Sequence, residues 1–281
     1  MTVLTVNMMG GLGNQLFQIA TAYAHAKENG FELVFSDTWD HKGGREPVWN
    51  YYFKAQGNTV HWKILPKHHL IFNWTVVSES GFLYEKLNIP SGFSHYMLYG
   101  FFQSSQYFNS YANEIRSMLQ IHDDHIRRAE ASLADAGIHE VDGWIIAHVR
   151  RGDYLNLPDF HVVTNKKYFK DARDEIAKRV GPRTVCWISE DMDWVYKNVY
   201  EQGDIVMNGD TMTDFASLSL FRHVIMSNSS YSWWATWLNP NNYDSKTRVI
   251  CCPDKWFGPT GYQNVETIFE PEWIRISTTS G

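Results

Sequence analysis

The sequence predicts an α/β protein with two halves and a cleft between them. Residues 144–252 alternate short apolar runs with helical segments, which is the spacing of a parallel sheet with helices on both faces. Residues 2–35 follow a strand, turn, helix, strand order. The length of 281 residues suits two domains of ordinary size. We place the boundary in the polar segment 138–143, which gives domains 1–140 and 141–281.

The chain opens with a predicted strand at 2–9, a glycine-rich turn and a helix that ends at Gly30. Glycines allow a tight turn and the close approach of a ligand, and the start of the following helix presents unpaired N–H groups. Gly11 and Gly13 are therefore candidate ligand-binding residues. For Gly10, a purely structural turn is a sufficient explanation.

The other elements follow from hydrophobic periodicity and from turn residues. Between residues 37 and 98 the periodicity is too weak for an assignment, although aromatic residues are dense there. Further strands are predicted at 31–35, 99–103, 144–149, 184–189, 204–207, 223–227 and 247–252. Further helices are predicted at 105–119, 123–136, 165–180, 192–200 and 213–221, and another begins near Tyr231.

Composition and charge exclude several classes of protein. The formal net charge of −6 with scattered basic residues gives no electrostatic footprint for nucleic acid. Since the sequence shows neither a signal peptide nor an apolar run of about 18 residues, we expect no integral membrane segment and a location in the cytoplasm. Cys186, Cys251 and Cys252 lack the spacing of a disulfide framework or a zinc site, which favours a reducing compartment.

The strongest chemical signal lies where the strand at 144–149 ends. Open α/β sheets bind ligands beyond the carboxyl ends of their strands. Arg150 and Arg151 stand at such an end, and guanidinium groups can bind phosphate oxygens in a bidentate manner. We interpret the two arginines as a diphosphate clamp. The alternative is a surface arginine pair with an Arg–Asp bridge across the turn.

Two helix starts carry further signals. Residues 227–232 follow a strand and place four serine side chains within six positions. Hydroxyls and unpaired N–H groups at a helix start form a phosphate cradle, whereas simple N-capping by Ser229 or Ser230 is the alternative. Asp214 stands three residues after Thr211, which is the spacing of a capping box. Its carboxylate could instead accept two N–H bonds from the edge of a guanine.

Five motifs, taken in order, resemble the α-1,2-fucosyltransferase family. They are Gly-Gly-Leu-Gly-Asn-Gln-Leu-Phe-Gln at 10–18, Tyr-Gly-Phe-Phe-Gln-Ser at 99–104, His-Val-Arg-Arg-Gly-Asp-Tyr at 148–154, Ser-Glu-Asp-Met-Asp-Trp at 189–194 and Asn-Ser-Ser-Tyr-Ser-Trp-Trp-Ala at 228–235. Each motif alone is a weak signal. The ordered set spans nearly the whole chain and is specific.

The resemblance implies a GT-B-like fold in which two Rossmann-type domains face each other across a cleft. It implies that domain 1–140 lies on the acceptor side and that domain 141–281 binds GDP-β-L-fucose. The implied reaction is inverting transfer of L-fucose to the 2-hydroxyl of a terminal β-galactoside in an oligosaccharide. No cofactor and no divalent metal ion are implied.

The resemblance also assigns roles to residues of this chain. Carried over position by position, Arg150 and Arg151 bind the diphosphate, and His148 and Asp214 contact the guanosine. Ser230 and Tyr231 bind the β-phosphate, and Asn14 faces the fucose or the acceptor. Ser229, at the same helix start, is a further candidate binding residue. Two other functions stay open: a GDP-fucose transferase with a different sugar acceptor, and a nucleotide-sugar or glycan binding protein without turnover.

Inversion by a single displacement calls for a general base on the acceptor hydroxyl. Asp153 lies within the arginine motif but could merely orient an arginine, and Asp159 and His161 lie on the following loop. A strongly dissociative transition state would need no base. Asp191 and Asp193 imitate a metal-binding Asp-x-Asp pair, but we assign them to a helix start, where acidic side chains suit the helix dipole.

Overall fold

A computed structural model of the chain describes residues 1–36, 48, 52, 63–65, 73–241 and 247–279. The chain forms two compact units. The first comprises Met1–His122 and Asn264–Phe269, and the second comprises Asp123–Gln263 and Glu270–Gly281. Most of the aromatic-rich region 37–72 lies outside the described residues.

The first unit contains a five-stranded parallel sheet of order β3-β2-β1-β5-β4. Its strands are β1 (Val3–Val6), β2 (Glu32–Ser36), β3 (Lys63–Leu65), β4 (Thr75–Ser78) and β5 (His95–Tyr99). Helix α1 (Leu12–Asn29) connects β1 to β2 and ends, as predicted, at Gly30, whose φ of 67° is left-handed. Helix α2 (Ala112–Met118) follows two 3-10 turns, Ser105–Tyr107 and Asn109–Tyr111.

Two predictions for the first unit are wrong. The strand predicted at 99–103 lies earlier, because Phe102 has a φ of 53° and cannot extend a strand. The helix predicted at 105–119 is divided into two 3-10 turns and α2, because Phe108 has a φ of −140° and interrupts it. Hydrophobic periodicity alone does not reveal either backbone irregularity.

The second unit contains a six-stranded parallel sheet of order β11-β10-β9-β6-β7-β8. Its strands are β6 (Ile145–Val149), β7 (Val185–Ser189), β8 (Ile205–Met207), β9 (His223–Ile225), β10 (Ile250–Pro253) and β11 (Ile274–Ile276). Its helices are α3 (Asp123–Asp135), α4 (Lys166–Val180), α5 (Met192–Asn198), α6 (Thr211–Leu220) and α7 (Ser230–Trp237). This is the doubly wound parallel sheet predicted for the C-terminal half.

The core of the second unit is formed where helices cover both faces of the sheet. On α4 the buried residues Tyr168, Phe169, Ala172 and Ile176 recur at helical spacing and pack with Trp187 of β7 in one cluster. The apolar strands are buried on both faces: all five residues of β6 and of β7 are buried. Such strands are typical of parallel sheets and hold the loops at their carboxyl ends in place.

The ends of the second unit differ in detail from the predicted boundaries. Helix α3 contacts α6, so the unit begins at Asp123, before the predicted boundary at 140/141. Strand β11 lies beyond the segment 247–252 that we expected to be the last strand. None of the helices in the described part of the chain has the length and apolar character needed to cross a lipid bilayer.

Candidate functional site

The residues with the strongest chemical signals gather where β6 and β9 end. These strands are parallel neighbours, with Ile145 beside His223 and Ala147 beside Ile225. From this pair the chain winds outwards in opposite directions, through β7 and β8 on one side and β10 and β11 on the other. Such a reversal is the topological switch point at which open α/β sheets bind ligands.

Ser227 joins the ends of the two strands. Its buried hydroxyl donates to the His148 carbonyl at 2.7 Å and accepts from the Arg150 backbone N–H at 3.0 Å. The Tyr154 hydroxyl donates to the Asn228 carbonyl at 3.0 Å. These bonds hold the arginine motif against the start of α7. No separate role was predicted for Ser227, because its partners lie in a segment that is distant in sequence.

Ser227→Ala is expected to lower the free energy of unfolding by about 1–3 kcal/mol, because it leaves the polar backbone at the end of β6 without its side-chain partner. Ser219→Ala is the matched control: the Ser219 hydroxyl is also buried, but it only donates to the Ala216 carbonyl within one helix. Urea denaturation of both variants is the measurement. An equal loss for the two serines would contradict the joining role of Ser227.

Arg150 presents its guanidinium beside this junction. Its Nη1 donates to the Glu190 carboxylate at 3.2 Å, and its Nη2 donates to Asp153. The guanidinium also lies over the Tyr154 ring, 5.5 Å from its centroid. The Arg–Asp bridge that we considered as an alternative is therefore formed. Asp153 pairs with Arg150, and the choice between the two roles considered for it stays a prediction.

Arg151 is held differently. Its Nε donates to Asp191 at 2.8 Å, and its guanidinium lies 4.3 Å from the centroid of the Trp194 ring. Asp191 also caps α5 by accepting the Trp194 N–H at 3.2 Å, and Asp193 lies in the first turn. The assignment of both aspartates to a helix start is confirmed. The Arg151 side chain is therefore bound to residues at the start of α5.

Glu190 is a residue of the site that was not singled out, although it lies within the motif 189–194. It accepts from the Arg150 guanidinium and, at 3.4 Å, from the Arg151 backbone N–H. A Cβ added at Gly152 would lie 2.5 Å from Glu190 Oε1. The glycine of the arginine motif therefore makes room for this carboxylate.

The start of α7 lies next to the arginine motif. Ser229 is the N-cap residue, but its side chain makes no capping hydrogen bond, so the simple N-capping considered for Ser229 is not observed. The Tyr231 hydroxyl donates to the Thr211 carbonyl at 2.6 Å and links α7 to α6. The helix dipole places partial positive charge at the N-terminus of a helix. Ser230 and Tyr231 are the first two residues of α7.

His148 is buried beneath this helix start. Its ring centroid lies 5.4 Å from that of Tyr231, and its Nδ1 atom is buried without a hydrogen-bond partner. Burial, and secondarily the charge of Arg150, lower the pKa of His148 to about 3. The imidazole is therefore neutral at physiological pH. A neutral ring suits a nucleoside better than a phosphate.

Asp214 is a buried carboxylate near the start of α6. The Gly209 N–H donates to both carboxylate oxygens, at 3.0 and 3.2 Å. Asp210 is the residue that caps α6, because its Oδ1 accepts the N–H groups of Met212 and Thr213. Burial raises the pKa of Asp214 to about 6. A carboxylate offers about four acceptor positions, so Asp214 suits a ligand that brings N–H donors.

The remaining candidates for a general base lie on a loop that is held in place by several contacts. The His161 ring stacks on Tyr154 with centroids 4.0 Å apart. The Asp159 carbonyl accepts the Thr260 N–H at 2.9 Å, and a Cβ added at Gly258 would lie 2.5 Å from the same carbonyl oxygen. Burial lowers the pKa of His161. The loop is thus fixed in position, and the identity of the base stays a prediction.

The candidate residues of the first unit lie where β1 meets α1. Gly11 is the N-cap of α1, and Gly13 is buried within its first turn. Gly10 has a φ of 74°, and a Cβ added there would lie 2.3 Å from the Asn14 Nδ2. Gly10 therefore both turns the chain and makes room for Asn14. The Gln103 side chain, which was not singled out, donates to Asn14 Oδ1 at 2.8 Å.

Comparison with known proteins identifies similar sequences over the whole chain. The family model described as glycosyl transferase family 11 matches residues 2–277. Galactoside alpha-(1,2)-fucosyltransferase 2 of Oryctolagus cuniculus is 26% identical over 298 residues, covering 99% of this chain and 77% of that protein. An alpha-1,2-colitosyltransferase of Escherichia coli is 24% identical over 301 residues, covering 98% and 99%.

The solved structures with a similar fold include fucosyltransferases. NodZ from Bradyrhizobium has a TM-score of 0.55 at 13% identity, covering 85% of this chain and 93% of that chain. The NodZ α-1,6-fucosyltransferase co-crystallised with GDP has a TM-score of 0.54 at 12% identity, with the same coverage of 85% and 93%. At such identity the likeness shows the fold alone. The predicted GT-B-like α/β fold with Rossmann-type units is confirmed, and the cleft stays a prediction.

Proposed function

Because the chain belongs to glycosyltransferase family 11, we propose that it is an inverting fucosyltransferase. The donor is GDP-β-L-fucose, and the product is an α-1,2 linkage to the 2-hydroxyl of a terminal β-galactoside. The observation that carries the proposal is the convergence of Arg150 and the start of α7 at the switch point between β6 and β9. The names of the mammalian relatives support the same sugar and linkage.

The donor's GDP binds to the second unit. The Arg150 guanidinium and the backbone of Ser230 and Tyr231 at the start of α7 bind the diphosphate. Arg151 and Ser229 lie next to these groups in the sequence. To bind a diphosphate, Arg150 exchanges carboxylate partners for phosphate oxygens, since both make charge-assisted bonds with a guanidinium. Guanine offers a ring N–H and an exocyclic amine to the Asp214 carboxylate. The neutral His148 contacts the nucleoside.

Sugar transfer leaves negative charge on the departing GDP. In this proposal the Arg150 guanidinium and the N-terminus of α7 stabilise that charge without a divalent cation. Asp153 orients Arg150, and Asn14 and the glycines Gly11 and Gly13 of the first unit contact the fucose or the acceptor. Asp153, Asp159 and His161 are the candidates for a base that removes the proton of the acceptor hydroxyl.

Excess EDTA is expected to leave the rate of fucose transfer unchanged, because protein groups replace the metal ion in the proposed mechanism. The measurement is the initial rate after dialysis against EDTA, with and without added MgCl₂ or MnCl₂. Loss of activity in EDTA that an added divalent cation restores would contradict the mechanism.

The proposed donor and acceptor are tested by incubating the protein with GDP-fucose and a panel of glycans that end in β-galactose. The linkage of each product is read by NMR, and a new α-1,2 linkage is the expected result. Because one relative is a colitosyltransferase, GDP-colitose is included as a second donor. Transfer to another hydroxyl or another sugar would contradict the proposed acceptor. Tight GDP binding without transfer or donor hydrolysis would indicate a binding protein.

A further inference from the structure

The turn after β5 contains an unfavourable backbone conformation. Among the described residues, Phe102 is the one non-glycine residue with a positive φ, at 53°. Phe102 is completely buried. A bulky side chain rarely adopts this left-handed region, and such residues persist where their surroundings hold them. Such residues concentrate at functional sites.

Glu79, which follows β4, holds the turn in place. Its Oε2 accepts the N–H groups of Phe101 at 2.8 Å and Phe102 at 3.0 Å. A Cβ added at Gly100 would lie 2.5 Å from the Glu79 Cβ, so the glycine lets the glutamate approach. The Phe102 ring also packs edge-on against Tyr107, with centroids 5.4 Å apart. Contacts of Glu79, Gly100 and Tyr107 therefore hold Phe102 in the left-handed conformation.

The turn is also tied to the end of β1. Gln18 of α1 accepts the Met9 N–H at 2.8 Å through its Oε1 and donates to the Gly100 carbonyl at 3.2 Å through its Nε2. The turn that follows β1 and the turn that follows β5 are therefore joined by one buried amide. The side chains that project from the two turns are therefore held at fixed positions relative to each other.

Gln103 is the side chain that the turn presents. Its Nε2 donates to Asn14 Oδ1 at 2.8 Å, and it is only 6% exposed. Its Oε1 is buried without a hydrogen-bond partner. A buried amide with an unsatisfied oxygen is unfavourable, so packing alone does not account for a glutamine here. The bond to Asn14 is the interaction that the arrangement secures.

We propose that Gln103 is a positioning residue that fixes the polarity of the Asn14 amide. By donating to Asn14 Oδ1, it makes Nδ2 the donor end that meets a hydroxyl oxygen of the sugar. An asparagine amide has one donor end and one acceptor end, and the bond from Gln103 assigns the acceptor end. The inference rests on the proposed function, in which Asn14 contacts the fucose or the acceptor.

The test is a double-mutant cycle on fucose transfer. Gln103→Met removes the donor but keeps the length of the side chain, and Gln103→Glu reverses the polarity. Each change is made in the wild type and in Asn14→Ala. In the wild type, each is expected to lower kcat/KM about tenfold, which is the scale of one hydrogen bond. GDP affinity, measured by calorimetry, should not change, because GDP binds to the second unit.

In the Asn14→Ala background, neither change at Gln103 should cost anything further, since residues that act through each other are not additive. Gln106→Met is the control, because Gln106 is exposed on the same segment. Equal losses in both backgrounds, or normal transfer by Gln103→Met, would overturn the inference. If Gln103→Glu lowers Tm, its loss of activity could reflect unfolding, and the activity of Gln103→Met then decides whether the inference holds. Failure of the proposed function would appear as a wild type without transfer, whereas failure of this inference requires an active wild type.

Discussion

Replacement of Arg150 by alanine is expected to lower kcat/KM for fucose transfer by at least about 100-fold, or roughly 3 kcal/mol. The Arg150 guanidinium lies beside the junction of β6 with α7. The Arg150 backbone N–H donates to the Ser227 hydroxyl there at 3.0 Å. The guanidinium stabilises the charge that develops on the departing diphosphate, so its loss affects the transition state more than the ground state. Initial rates at varied GDP-fucose concentration measure the effect.

Arg127→Ala is the matched control. Arg127 also pairs with an aspartate three residues away, Asp124, but its side chain is 65% exposed on α3. An exposed pair of this kind contributes little, so transfer should be unaffected. Arg150→Lys should recover only part of the loss, because an ammonium group cannot bind two oxygens with a planar fork. Near-normal turnover by Arg150→Ala would show that the diphosphate is held elsewhere.

Replacement of Asp214 by alanine is expected to raise the Kd for GDP by about 30- to 100-fold, or roughly 2–3 kcal/mol, which is the scale of hydrogen bonding to a charged group. The Kd for pyrophosphate should not change, because pyrophosphate has no guanine edge. Calorimetric titration of both ligands gives the comparison.

Asp210→Ala separates this role from helix capping. Asp210 accepts the N–H groups of Met212 at 2.9 Å and Thr213 at 3.0 Å, so its loss should cost about 1 kcal/mol of stability. Any effect of that variant should be equal for GDP and pyrophosphate. If Asp214→Ala weakens both ligands equally, Asp214 supports the start of α6 and does not read guanine.

The raised pKa of Asp214 adds a pH dependence to this prediction. Burial raises the pKa from 3.8 to about 6, so the folded protein binds the proton more tightly than the unfolded chain. Ionisation of Asp214 therefore costs stability, and the wild type loses stability relative to Asp214→Asn as the pH rises from 4 to above 6. The two N–H groups of guanine bind best to the ionised form of the Asp214 carboxyl group. The advantage of the wild type over Asp214→Asn in GDP affinity should therefore grow between pH 5 and pH 7.

The sequence was most informative where a signal is local. The alternation of strands and helices from β6 to β10 follows from periodicity and turn residues, and it placed Arg150 and the serines of α7 at strand ends. Because neighbouring parallel strands end at the same edge of a sheet, these residues were expected to converge, and the pairing of β6 with β9 brings them together.

The remaining features depend on contacts between distant parts of the chain. Ser227 and Glu190 reach the arginine motif only because β6 lies between β9 and β7 in the sheet. Glu79, which follows another strand, holds Phe102 in its left-handed conformation. Local propensity opposes that conformation, so no reading of residues 99–103 by periodicity could have predicted it.

A crystal structure of the protein with GDP tests the central claim most directly. The expected result places diphosphate oxygens within roughly 3 Å of the Arg150 guanidinium and of the first N–H groups of α7, with the guanine edge at Asp214. GDP bound at another place, with Arg150 still paired to Asp153 and Glu190, would contradict it.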